Sequence, residues 1–196
     1  MSLRSLPRAG AFAALLLAAT ATHAAAAWTT DPAQSRLGFT ATLAGGDFDG
    51  AFQRFQTDID FDPADLEGSR FRVEIALASA DTGDADRDLA LKGADFFAVE
   101  RWPSARFSAD RFVVLGNGRF EALGRLTIRD TSREIRLPFR FEPVGDGKRA
   151  VLAGGTTIRR LDYGVGQGEW QDTQWLGDEV RIRFTLQLQR QETTSP

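Results

Sequence analysis

Apolar residues recur at every second position along most of the chain, the pattern of strands with one buried and one solvated face. Leu37, Phe39, Ala41 and Leu43 share one face of a first strand, which Gly45 and Gly46 turn. Phe48 and Phe52 open a second run that continues through Phe55, Thr57, Ile59 and Phe61, and the three-residue step from Phe52 to Phe55 predicts a bulge. After the turn residues Asp62-Pro63-Ala64-Asp65 comes a third strand through Phe71, Val73, Ile75 and Leu77. Beyond Pro103 the alternation resumes at Ala105, Phe107 and Ala109, slips phase before Phe112 and Val114, and turns at Gly116-Asn117-Gly118. Phe120, Ala122, Leu126 and Ile128 follow, with Gly124 as a bending point, then Ile135, Leu137, Phe139 and Phe141. A strand from about Arg149 to Ile158 and a last one through Val180, Ile182, Phe184, Leu186 and Leu188 complete the set.

One segment breaks the period. In Asp81 to Phe107, Asp84 is a good N-cap, Asp86 and Asp88 occupy the first turn, and Gly93 stands where a helix C′ residue belongs. The result is a helix of two to three turns, followed by Phe96, Phe97 and Trp102 in a loop. Such aromatic area in a loop predicts a lid or plug against one end of a β body. The pattern therefore predicts an all-β, eight-stranded antiparallel barrel with one short helix between strands 3 and 4, a two-sheet sandwich being the alternative. An interior of this size is either filled by side chains or holds one small apolar ligand. No repeat or linker interrupts the chain, which reads as one domain.

The N-terminus adds a compartment. Met1 to Arg8 carries two arginines, Ala9 to Ala21 is apolar, and Ala24 to Ala27 offers small residues for cleavage. This is the composition of a secretory signal peptide over residues 1–27, and the apolar run of roughly 13 residues is shorter than the roughly 20 of a spanning helix. The expected domain then covers residues 28–190, with 191–196 as a tail, and the expected location is the periplasm. Cleavage also removes His23 and Met1, the only His and Met, and the chain has no Cys. Serine–histidine and cysteine–histidine catalysis and His or Cys metal sites are thereby excluded, so neither an enzyme, a cofactor nor a metal is expected. With Arg4 and Arg8 gone, 22 basic residues face 27 acidic ones, and no basic stripe suggests nucleic acid.

Several clusters invite a chemical reading. Asp84, Asp86 and Asp88 lack the Gly and terminal Glu of a calcium loop, so helix N-capping is the better account. Asp58, Asp60 and Asp62 alternate with Ile59 and Phe61 and fall on an outer strand face. Gly164-Val165-Gly166-Gln167-Gly168 lacks the third spacing and the helix of a dinucleotide fingerprint and reads as a mobile loop. That loop, Arg160 to Asp178, carries Tyr163, Trp170 and Trp175, a second aromatic group for a cavity mouth. Arg159 and Arg160 at its base are either head-group ligands or ordinary surface arginines.

Short motifs run in order along the chain: Asp31-Pro32-Ala33-Gln34-Ser35, Phe61-Asp62-Pro63, Thr82-Gly83 with Arg87-Asp88-Leu89, and Asp95-Phe96-Phe97 with Pro103 and Phe107. They continue through Gly124-Arg125-Leu126-Thr127-Ile128-Arg129, Ile158 to Gly164, and Gly177-Asp178-Glu179-Val180. Their order and spacing make up a resemblance to the YceI-like family of periplasmic polyisoprenoid-binding proteins. It implies a lipocalin-like barrel holding a polyisoprenoid, an isoprenoid quinone or a similar long-chain amphiphile. Gln34 and Ala90 stand where family members often carry His. On this reading Phe39, Phe52, Phe96, Phe97, Phe107 and Phe139 line the ligand, with Tyr163, Trp170 and Trp175 near the mouth and Arg159 and Arg160 toward the head group. The alternative is an accessory protein of membrane electron transport that presents a quinone to a partner. Transient membrane contact is compatible with both readings, and the oligomeric state stays open, a homodimer included.

Overall fold

The computed structural model describes residues 26–191. Apart from Ala26 and Ala27 the expected signal peptide lies outside the described residues, as does the tail after Gln191. The strands are β1 (Ala27–Thr30), β2 (Arg36–Leu43), β3 (Gly46–Phe52), β4 (Phe55–Asp62), β5 (Asp65–Ala76), β6 (Ala80–Asp81), β7 (Ser104–Gly116), β8 (Arg119–Ile128), β9 (Thr131–Val144), β10 (Arg149–Arg159) and β11 (Glu179–Arg190), with helix α1 (Ala85–Lys92) between β6 and β7. Eight of them, β1-β4-β5-β7-β8-β9-β10-β11, run antiparallel in a ring that β1 closes by pairing with β11. The predicted eight-stranded barrel with one helix is thus the observed architecture.

The wall divides at β11. Its last residues pair with β1, from Leu188 opposite Thr30 to Arg190 opposite Trp28, whereas Arg181 to Thr185 pair with β2. From β2 the sheet continues to β3, and the end of β3 meets the two-residue β6. Since β4 is paired with β1 and β5, a seam runs between β3 and β4.

Two expectations change here. The run from Phe48 to Phe61 is two strands, not one bulged strand, because Gln53 and Arg54 leave the sheet for Ser79 in the short 3₁₀ turn Leu77–Ser79. The Gln53 N–H donates to the Ser79 carbonyl and the Arg54 N–H to Ser79 Oγ, both at 3.0 Å. Strand β1 escapes the sequence pattern because four residues are too few to display a period; Trp28 anchors it, its Nε1 donating to the Phe61 carbonyl at 2.9 Å. The phase slip before Phe112 is a true bulge, at Ala109/Arg111. Opposite it, Gly124 has no alternative, since a Cβ there would lie 2.6 Å from both the Phe107 ring and the Ser108 carbonyl.

Aromatic side chains fill the end of the barrel closed by β1. Phe61, fully buried, stands between the rings of Phe71, Phe112, Phe120, Phe139 and Phe141 at centroid distances of 5.7, 5.6, 5.1, 5.3 and 5.1 Å. Trp28 caps this group, edge-on to Phe141 at 5.4 Å. Edge-to-face and tilted pairs at these distances add to the gain from burial. Truncating Phe61 to Ala should therefore cost about 3–5 kcal/mol, measured as a fall in the urea midpoint at unchanged slope.

Candidate ligand-binding site

The opposite end is covered by α1 and the loop after it. Asp84 is the N-cap predicted from the sequence, its Oδ1 accepting from the Arg87 N–H at 2.9 Å. Asp88 reaches back to the Thr82 N–H and hydroxyl at 2.8 and 2.7 Å, so these two acids are occupied in fixing the helix start. The end of the helix departs from expectation: Gly93 is extended, at φ −67° and ψ 171°, rather than left-handed. The Phe97 N–H instead folds back onto the Leu91 carbonyl at 3.0 Å, which turns Phe96 and Phe97 inward. Both are buried, Phe97 tilted against Phe52 at 6.1 Å and Phe96 against Trp170 at 5.4 Å.

The lid is stitched to the loop from Arg160 to Asp178. The Gly166 and Gln167 N–H groups donate to the Asp95 carbonyl at 2.7 and 2.8 Å, and Arg129 Nη1 donates to the carbonyls of Phe96 and Gly164. Within the loop, buried Arg160 spends every guanidinium hydrogen on backbone carbonyls: Nε on Gly177, Nη1 on Val165 and Gly166, Nη2 on Trp170 and Leu176. An arginine has five N–H donors, so none remains for a ligand. The loop read as mobile is tied down by this one side chain. Desolvation pushes the Arg160 pKa down and the Asp178 charge opposes that shift. Its neighbour Arg159 lies outside, paired with Asp178 at 2.9 Å.

Between plug and lid the barrel is hollow. One cavity of about 80 Å³ lies against the plug, and a second of about 110 Å³ lies under the lid. Leu37, Ile75, Leu126 and Ile182 border both, forming a waist between them. Either volume exceeds several-fold what one water needs, yet the surroundings are apolar, the condition under which cavities stay dry. Phe39, Phe52, Phe96 and Phe97 line the upper cavity and Phe107 the lower one. Phe139 belongs to the aromatic plug and lines neither, being stacked on Phe120 at 5.6 Å. Trp170 backs Phe96, Trp175 is 56% exposed, and Tyr163 is buried at the foot of the loop. The aliphatic waist was on the inward face in the sequence pattern but carries no mark that separates a wall from a filling. Such a space can take hydrocarbon and offers little to a polar solute.

The family model for the YceI-like domain matches residues 28–188. The chain belongs to this family. Among curated members, UPF0312 proteins of Azotobacter vinelandii and Vibrio cholerae are each 31% identical to it, over 122 and 120 residues, which is 59% of this chain and 62% and 64% of theirs. The chain thus matches a little under two thirds of these relatives' length. Of solved structures with the YceI-like fold, Burkholderia cenocepacia BcnA superposes with a TM-score of 0.77 at 29% identity, covering 81% of this chain and 99% of BcnA. The Campylobacter jejuni YceI protein gives 0.63 at 26%, covering 73% and 85%. A polyisoprenoid-binding domain from Saccharophagus degradans, implicated in plant cell wall breakdown, gives 0.68 at 13% identity, covering 85% and 99%, and shares the fold.

Replacing Arg160 by Met should orphan its buried carbonyls and lower stability by about 3 kcal/mol or more, with limited proteolysis shifting to the 160–178 loop. Tyr163 supplies a second check because it is the only tyrosine. Burial, with a smaller push from the Asp162 charge and an opposing pull from Arg133, raises its pKa from 10.0 to about 12. The folded-state value lies above the unfolded one, so this contribution to stability is whole below pH 10 and is lost as pH rises toward 12. Tyrosinate absorbance should show the midpoint near 12 in the native protein, and a midpoint near 10 would contradict the burial.

Proposed function

We propose that this protein is a non-catalytic periplasmic carrier that shelters the chain of a polyisoprenoid, an isoprenoid quinone or a similar long-chain amphiphile inside the barrel. The observation that carries the reading is the pair of apolar cavities meeting at the Leu37–Ile75–Leu126–Ile182 waist beneath a lid of Phe96 and Phe97. Burying a methylene is worth about 0.8 kcal/mol, so a few isoprene units gain several kcal/mol before ordering costs are deducted. Membership of the YceI-like family and the fold shared with a polyisoprenoid-binding domain lend support. The periplasmic location draws on the composition of residues 1–27.

A second reading, presentation of a quinone to a membrane partner, draws on apolar side chains exposed at the lid and the neighbouring loop, Leu89 at 70% and Trp175 at 56%. Under that reading Trp175→Ser weakens delivery to vesicles while leaving binding intact. For the carrier itself, solvent extraction and mass spectrometry of protein from its native compartment should recover a long-chain lipid. Ile75→Trp, which fills the waist, should abolish binding of farnesol while lowering stability by about 1–3 kcal/mol, as read by titration and by urea unfolding. Farnesol binding that survives a filled waist would place the ligand elsewhere.

A further inference from the structure

The seam between β3 and β4 has a groove of about 910 Å³ over its outer side. Its floor includes Phe52, which also lines the upper cavity, and Phe55, which also lines the lower one. Phe52 and Phe55 therefore each border both the groove and one cavity, at a place where, among the described residues, β3 and β4 share no strand pairing. The rim differs from the interior in carrying charge. Arg36, Arg54 and Arg106 stand around it with Gln34, Ser35 and Ser104.

The three arginines are not equivalent. Arg106 is neutralised by Glu74, Nη2 to Oε1 at 3.3 Å. Glu74 is held below the usual carboxylate range by a hydrogen bond from Ser104 and then by Arg106. Arg36 and Arg54 have no side-chain partner among the described residues. Ser104 is engaged with Glu74 and the Gln34 amide with Asp31 at 2.7 Å, so the two uncompensated guanidinium groups are what match an anion with several acceptor oxygens, since arginine binds phosphate bidentately. Arg159 and Arg160, the sequence candidates for this role, are engaged with Asp178 and with the loop carbonyls.

We propose that the β3–β4 seam is the lateral doorway of the barrel, with the gap between Phe52 and Phe55 passing the chain and Arg36 and Arg54 seating a phosphorylated head group outside. The inference rests on the carrier reading and adds to it the head-group class and the route. It predicts that an anionic prenyl phosphate is held better than the alcohol of the same chain, and that the difference resides in two surface arginines remote from the lid.

The test compares the mature wild-type chain with Arg36→Gln/Arg54→Gln, titrated with farnesyl diphosphate, farnesol and inorganic diphosphate at low and high salt. The wild type should bind farnesyl diphosphate about tenfold or more tightly than farnesol, with the excess shrinking in salt. The double variant should lose that preference and bind farnesol as the wild type does. Equal binding of both lipids by the wild type, or a preference unchanged in the variant, overturns the doorway assignment and leaves the carrier standing. Failure of both lipids to bind overturns carrier and doorway together. Binding of inorganic diphosphate alone, lost in the variant and unaffected by farnesol, would make the groove a free-anion site and overturn its role in lipid admission.

Discussion

A strand has two edges, and the outer edge of β11 is shared by two partners. Residues near Arg190 go to β1 and residues from Arg181 to Thr185 go to β2. That division sets the rest of the molecule. Where β1 takes the edge, it carries the ring on to β4 and the barrel closes. Where β2 takes it, the sheet continues to β3 and stops at β6, so the other end lacks a completed ladder and is covered by a helix and loop instead. An open end invites a lid, since unpaired strand edges and apolar interior both need cover.

Filling follows closure. Rings at centroid distances near 5 Å around Phe61 make the closed end a packed core, which supplies rigidity without disulfides. Beyond the plug an aliphatic waist separates two apolar cavities, the one under the lid lined by Phe39, Phe52, Phe96 and Phe97 as well. Vacant apolar volume costs a protein stability, and the aromatic plug offsets that cost. The division of labour lets one barrel be both stable and hollow.

The lid is held by two guanidinium groups donating to backbone carbonyls rather than by ion pairs. Arg160 alone gathers carbonyls from Val165 to Gly177, and Arg129 joins the Phe96 and Gly164 segments. The 160–178 loop is thereby given a defined shape that its own sequence, rich in glycine and without regular periodicity, would not adopt alone. Arg160 spends all its donors on this task, whereas Arg36 and Arg54 at the seam have no side-chain partner among the described residues.

Alternation from Leu37 to Leu188 pointed to antiparallel strands and, with their number, to a barrel rather than the sandwich left open beside it. Local period and turn chemistry gave the bulge before Phe112 and the capped helix at Asp84, although Val114 beyond that bulge is exposed. Family membership was legible too, in short motifs whose order is specific. Other features were decided only in three dimensions. Phe139 and Phe107 sit on equally apolar faces, yet one is core and the other cavity wall, because that depends on what stands opposite across the barrel. Arg160 looks in sequence like a surface cation, and only the path of the 160–178 loop turns its donors inward. The break at Gln53-Arg54 likewise reads as a bulge until Ser79, distant along the chain, captures the backbone and opens the seam. Period-two patterning reports which way a side chain points, and only closure of the ring decides what it meets there.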